Sequence, residues 1–264
     1  MAYSPKSVRE AYDNAAEEED KAEKKPSLRT EIPREFIKQY LKTSDVVLDA
    51  GGGTGINAIM MAQHCKKVTL VDISPRILEL AAVNIKNAGL TEMIDLVQGD
   101  ITNLKQFNDS EFSFVVCVGD SISYVLEKGE HAIQELTRVA AKGAIFITGC
   151  DSKYGFMRLR LSRGLLDEVL AINGTSETYC GMGPRTHLYT VDEMTTLLEQ
   201  GGCEVLKVAS TPTFTDTIDQ SMYYGEQEWQ KLKALELEVC TKSELLGMGL
   251  HLLFIAKKCK ATAK

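Results

Sequence analysis

The apolar positions of this chain fall into two recurring periods. Short apolar runs at residues 46–49, 68–71, 94–97 and 112–118 each end at or near Gly or Asp, as buried strands do. Between them, residues 56–65, 75–88 and 130–141 carry apolar residues at helical spacing. Residues 144–148 repeat the strand pattern. Ser74-Pro75 supplies a helix start, and Gly89 a stop. Alternation of this kind predicts a parallel sheet with helices on both faces.

A polar segment precedes this rhythm. Glu17 to Asp20 are acidic and Lys21, Lys24 and Lys25 follow, so opposite charges four apart predict a solvated helix that Pro26 ends. A second helix is expected over 33–41, with Ile32, Phe36, Ile37 and Tyr40 on one face. Residues 151–188 are too many for a simple connection and predict a helical insertion. Thr190 and Glu193 then form a capping box for a helix over 190–200, which Gly201-Gly202 ends. Strands at 204–208 and 251–256 flank a helix at 229–239. The expected organisation is a helical lid segment at 1–32 and a single domain at 33–257 with a lid insertion at 151–188. A basic tail, 258–264, carries Lys258, Lys260 and Lys264.

Composition narrows the function classes. Of 264 residues, 44% are apolar, which excludes a mainly disordered chain. Asp and Glu number 37 against 30 Lys and Arg, a net charge of −7, so broad phosphate contact is disfavoured. The seven cysteines have no CxxC or CxH spacing and read as reduced, buried thiols. The four histidines are scattered, so no metal set is expected. No apolar stretch reaches about 18 residues, and the polar, acidic N-terminus is no signal peptide; a cytoplasmic protein is expected.

The strongest chemical signal is Leu48-Asp49-Ala50-Gly51-Gly52-Gly53-Thr54-Gly55, a strand running into a glycine cluster that opens a helix. Glycines let the chain turn tightly and a ligand approach the backbone, and a helix start offers free N–H groups. Gly53-x-Gly55-x-x-Ala58 also fits the dinucleotide fingerprint, so NAD is a rival. Three acids favour a different ligand. Asp49, just before the glycines, suits a cationic amino group better than a pyrophosphate. Asp72, at the end of the next strand, suits ribose hydroxyls. Asp100, in Gly99-Asp100-Ile101, suits an adenine amino group.

These motifs resemble those of the class I S-adenosylmethionine-dependent methyltransferases, over roughly residues 29–257. The resemblance implies a Rossmann-like, doubly wound, seven-stranded and mostly parallel sheet, its last strand antiparallel beside strand five, with a helical lid insertion. It implies S-adenosyl-L-methionine as cofactor, its methionine moiety held by Asp49, Gly51 and Gly53 and its ribose by Asp72. Asp100 would meet the adenine, Ile73 and Ile101 would sandwich it, and Val118 would lie near the sulfonium. Tyr12, in an Ala-Tyr-Asp segment, would fold over the cofactor. Ala141-Lys142-Gly143-Ala144 departs from the family's Pro-Gly-Gly turn, and Gly119-Asp120-Ser121 departs on the substrate side.

Transfer from a sulfonium asks the protein to align the nucleophile and exclude water. Tyr124 and His187 are the candidate catalytic side chains, His187 as a base. Arg158, Arg160 and Arg163 in the insertion are candidates to grip an anionic substrate group. A small-molecule methyl acceptor is expected. A tRNA acceptor is the alternative, because the glycine motif and residues 235–251 are similar to the bacterial tRNA uridine 5-oxyacetic acid methyltransferases, which methylate a wobble-uridine carboxylate. A third reading is a cofactor-binding protein without transfer activity.

Overall fold

The computed structural model describes residues 2–179, 184–216, 218–223 and 225–259. Helix α1 (Pro5–Glu23) is capped by Ser4, whose hydroxyl accepts from the Ser7 amide, and has Pro5 in its first turn. Helix α2 (Leu28–Tyr40) begins five residues before the expected start and carries Pro33 inside it. Burial explains the difference: Leu28, Ile32 and Phe36 form one apolar stripe that crosses Pro33 and packs into the core. The longer helix also brings Arg29 into its first turn.

Strands β1 (Val46–Ala50), β2 (Lys67–Asp72), β3 (Ile94–Gln98), β4 (Phe112–Cys117) and β5 (Ala140–Asp151) run parallel in the order β3-β2-β1-β4-β5. Helices α3 (Ile56–Ala62), α4 (Pro75–Asn87) and α5 (Gly129–Val139) connect them. β5 runs three residues past the expected end, through Gly149 and Cys150 to Asp151, because its C-terminal half pairs with the last strand of the chain.

The insertion contains α6 (Lys153–Ser162), α7 (Leu166–Thr175) and a hairpin of β6 (Glu177–Tyr179) and β7 (Arg185–His187), which the helical reading did not foresee. Helix α8 (Val191–Gln200) starts at the capping residue Thr190, whose hydroxyl accepts from the Glu193 amide. Strand β8 (Cys203–Ser210), helix α9 (Glu226–Val239) and strand β9 (His251–Lys258) complete the chain.

β9 lies between β5 and β8 and is antiparallel to both. The result is a seven-stranded, mostly parallel Rossmann-like sheet with a core on each face. Because β9 runs against β5, its first residue, His251, sits level with Asp151, the last residue of β5. The loop after β8 is drawn down by the buried carboxylate of Glu236, which accepts from the amides of Thr213, Phe214 and Thr215 at 2.7, 2.9 and 3.0 Å. None of the helices described is long and apolar enough to cross a membrane.

Three backbone segments meet where α6 crosses the loops flanking β8 and β9. A Cβ on Gly249 would stand 2.1 Å from the Pro212 carbonyl oxygen, and one on Gly155 2.0 Å from that of Gly249. Gly249→Ala is therefore expected to destabilise the chain by about 1–3 kcal/mol in urea unfolding. Gly174→Ala in α7, where nothing lies within 4 Å of the added carbon, should stabilise it by about 0.5–1 kcal/mol. Equal responses of the two variants would refute this packing.

Candidate active site

A cavity of about 790 Å³ runs along the C-terminal edge of the sheet. The glycine loop forms its floor at one end. Gly51 and Gly53 have φ of 69° and 57°, and the amides of Gly51 and Gly52 both donate to the Val71 carbonyl. The loop is closely approached: a Cβ on Gly51 would lie 2.0 Å from Ser121 Oγ and one on Gly53 2.4 Å from Glu23 Oε1.

Three carboxylates surround this loop. Asp49 is buried, and its Oδ2 has no hydrogen-bond partner among the described residues. Burial pushes its carboxyl up to about 7, with Glu23 and Asp72 adding repulsion. Asp72 accepts from the Gly53 amide through Oδ2 (3.1 Å) and from the Ser74 amide through Oδ1 (2.9 Å). Burial outweighs those bonds and raises it to about 6. Glu23, at the end of α1, accepts from the Thr54 hydroxyl at 2.6 Å and is raised by burial.

Asp100 is already engaged. Its Oδ1 accepts from the amide and hydroxyl of Thr102, both at 2.8 Å, and its Oδ2 from the Tyr3 hydroxyl at 2.9 Å. Ile73, Ile101, Val118 and Tyr12 also line the cavity. The rings of Tyr12 and Tyr124 meet edge to face, with centroids 5.7 Å apart, so α1 reaches across to the loop after β4.

The far end of the cavity holds a second charged cluster. Asp120 follows β4 in a left-handed conformation, φ 72°, which aspartate adopts more readily than most L-residues. Arg29 of α2 forms an ion pair with Asp120 Oδ2. His251 Nδ1 lies 2.9 Å from Asp120 Oδ1 and 3.2 Å from Asp151 Oδ1, off line for a straight hydrogen bond to either. Asp151 Oδ2 accepts from the Thr186 hydroxyl at 2.5 Å, and the Asp151 amide donates to Ser123 Oγ. Burial alone would raise the Asp120 carboxyl, but His251 and Arg29 pull it well below the usual range. Asp151, beside that charge and buried, is raised. The three ligand atoms of Asp120, Asp151 and His251 lie within 4.8 Å of one another, a spacing a metal ion could use. The Arg29 guanidinium already supplies a cation there.

The expected substrate residues separate. Arg158 does not line the cavity: its guanidinium grips both oxygens of Asp216, at 2.9 and 2.8 Å, and its Nε donates to the Met248 carbonyl. It ties α6 to the loop after β8, and that explains why an arginine stands there. Arg160 lines the cavity but leans on Glu168 (3.2 Å) and the Tyr179 carbonyl. Arg163 lies exposed at the rim. His187 is outside the cavity; its Nε2 is 2.7 Å from Glu193 Oε1 and its ring stands against Tyr189. Tyr3, Glu23, Arg29, Asp151 and His251 were not among the expected site residues. They come from segments far apart in the chain, and a sequence pattern carries no signal of their meeting.

Comparison with known proteins adds the following. The methyltransferase domain family matches residues 47–143. The chain is 31% identical over 78 residues to the tRNA1(Val) (adenine(37)-N6)-methyltransferase of Shewanella amazonensis, spanning 29% of this chain and 34% of that protein. It is 33% identical over 103 residues to the demethylmenaquinone methyltransferase of Leptospira interrogans, spanning 38% of this chain and 41% of that protein. The chain thus aligns with well under half the length of these curated relatives. In fold it resembles the 1,6-didemethyltoxoflavin-N1-methyltransferase of Burkholderia thailandensis, solved with 1,6-didemethyltoxoflavin and S-adenosylhomocysteine. The TM-score is 0.63 at 12% identity, over 98% of this chain and 92% of that one.

The raised Asp49 carboxyl gives a stability test on the ligand-free chain. The unfolded carboxyl ionises first, near its ordinary 3.8, so the cost of the buried charge grows as pH rises towards 7 and is complete above it. Asp49→Asn removes that charge. Its stabilising effect in urea unfolding should be greater at pH 8 than at pH 5 by on the order of 2 kcal/mol. The same effect at both pH values would refute the ionisation argument.

Proposed function

We propose that this chain, whose residues 47–143 match a methyltransferase domain family, moves the methyl group of S-adenosylmethionine to a small-molecule acceptor at the far end of the cavity. The observation that carries this reading is the unpartnered, buried Oδ2 of Asp49 beneath a glycine loop that a Cβ would obstruct. A carboxylate in that position calls for a cation, and the cofactor's methionine ammonium would supply one. When bound, S-adenosylmethionine supplies an electrophilic methyl group on a sulfonium.

Within this reading Asp49, Gly51 and Gly53 hold the methionine end. Asp72 meets the ribose, and Asp100, Ile73 and Ile101 the adenine. Val118, Tyr12 and Tyr124 line the passage to the acceptor. Helices α1 and α2 keep bulk water from the reaction path.

The cavity volume lies in the range of roughly 300–1,000 Å³ common to small-ligand sites. Room beyond the glycine loop supports a second ligand and so favours transfer over mere cofactor binding. Two of the cavity's four arginines are matched by acids, Arg29 by Asp120 and Arg160 by Glu168, and this argues against a broad phosphate-binding face. A tRNA acceptor, including a wobble-uridine carboxylate, is therefore the second reading. A reducing compartment such as the cytoplasm suits the free thiols of Cys65, Cys117, Cys150, Cys203, Cys240 and Cys259.

Calorimetry with S-adenosylmethionine tests the cofactor site. Affinity should rise with pH through about 7 as Asp49 ionises, and Asp49→Ala should lower it roughly 50-fold. An unchanged affinity would count against the assignment. A labelled-methyl assay against a small-molecule extract and bulk tRNA tests the acceptor. Label in tRNA alone would overturn the small-molecule reading.

A further inference from the structure

His251 is the one imidazole on the cavity wall among the described residues. Its Nδ1 is turned towards the carboxylates of Asp120 and Asp151. The ring lines the cavity, and Nε2 is the ring nitrogen that those carboxylates do not engage. A ring held in this way keeps its proton on Nδ1 and presents a lone pair at Nε2.

We propose that His251 is the general base of the transfer, with Asp120 and Asp151 as positioning residues. The acceptor atom therefore bears a proton it must lose, as in a hydroxyl or an N–H group, and is not a carboxylate. This inference rests on the methyl-transfer reading above.

Three observations support it. First, the histidine sits where the chemistry is expected. The antiparallel course of β9 puts the first residue of the strand at the C-terminal edge of the sheet. Secondly, the local charge disfavours an anionic acceptor. With the ring neutral, the carboxylates of Asp120 and Asp151 face it with Arg29 as their ion-paired cation, so a carboxylate brought against the ring would meet more negative than positive charge there. Thirdly, the buried ring stands between two carboxylates, with Nδ1 shared between their oxygens. A histidine needed only for packing would require neither carboxylate.

The step balances simply. The acceptor X–H gives its proton to Nε2 as X bonds to the methyl carbon, and the carbon–sulfur bond breaks with its electron pair going to sulfur. The products are methylated X, S-adenosylhomocysteine and an imidazolium, which returns its proton to water.

The groups facing the ring come from four elements. They are Arg29 on α2, Asp120 after β4, Asp151 on β5 and Asp216 in the loop after β8, the last already gripped by Arg158. Burial, and after it the Arg29 charge, oppose charging the imidazole, but Asp120 and Asp151 together hold the ring above its ordinary 6.5. A base must be neutral, so turnover should rise with pH through that raised value.

The test uses the full chain in three measurements. In the S-adenosylhomocysteine complex, NMR of labelled histidine should show one imidazole that is protonated on Nδ1, titrates above 6.5 and is missing from His251→Gln. An Nε2-protonated ring overturns the proposal. The acceptor found by the labelled-methyl assay should carry its new methyl on an oxygen or nitrogen that bore hydrogen; a methyl ester overturns it. His251→Gln should lower kcat by roughly 10²–10⁴-fold and flatten its pH profile, with S-adenosylhomocysteine affinity within about twofold. A variant with wild-type kcat overturns the proposal and leaves the methyltransferase reading intact. Cofactor binding without transfer to either pool overturns both. If His251→Gln binds no S-adenosylhomocysteine, the ring tautomer and the wild-type pH profile decide.

Discussion

Buried carboxylates crowd the C-terminal edge of the sheet, and the way each is compensated divides the cavity into two halves. A charge in a low-dielectric wall is costly unless a partner meets it. At the far end Asp120 and Asp151 have their partners within the fold, Arg29 and His251. At the glycine loop Asp49, Asp72 and Glu23 stand together without an ion pair among the described residues, Arg34 acting on Glu23 only through its charge, and Asp49 answers by holding its proton up to about 7. One half therefore has its charges paired within the fold, and the other has a buried carboxylate oxygen without a hydrogen-bond partner among the described residues.

The segment that covers the cavity is held by different forces from the sheet beneath it. Only Val8 and Ala16 of α1 are buried. Its attachment to α4 is polar: Asp13 accepts from the Ser74 hydroxyl, Glu17 pairs with Arg76, and Asp20 accepts from Asn84. Such contacts exchange with water more easily than apolar packing does, so α1 belongs to the less stable part of the structure. Tyr3 and Glu23, near its two ends, touch Asp100 and Thr54. The element that closes the glycine-loop end of the cavity is thus held largely by polar contacts.

The placement of β9 has the widest consequence for the chemistry. A parallel strand in its position would have put His251 at the opposite edge, away from the cavity. Its antiparallel seat between β5 and β8 sets His251 against Asp151, and the longer α2 then brings Arg29 over Asp120. Arg158, which by residue type looked like a substrate ligand, is instead used to fix α6 to the loop carrying Asp216.

The sequence by itself determined the alternation of strands and helices, the glycine turn after β1, and the carboxylates that end β1 and β2 and follow β3. These are local matters: periodicity, turn chemistry and capping are written within a few residues of one another. It also settled that Thr190 starts a helix, because a capping hydroxyl needs only the next turn. The tertiary structure decided what depends on distant burial. α2 runs through Pro33 because Leu28 and Ile32 find a core to enter, and β5 extends to Asp151 because β9 lies beside it. The partners of Asp120, the isolation of Asp49 Oδ2 and the exclusion of His187 from the cavity follow from the same cause. Each depends on which charges are brought together in a medium that cannot screen them, and adjacency along the chain does not set that.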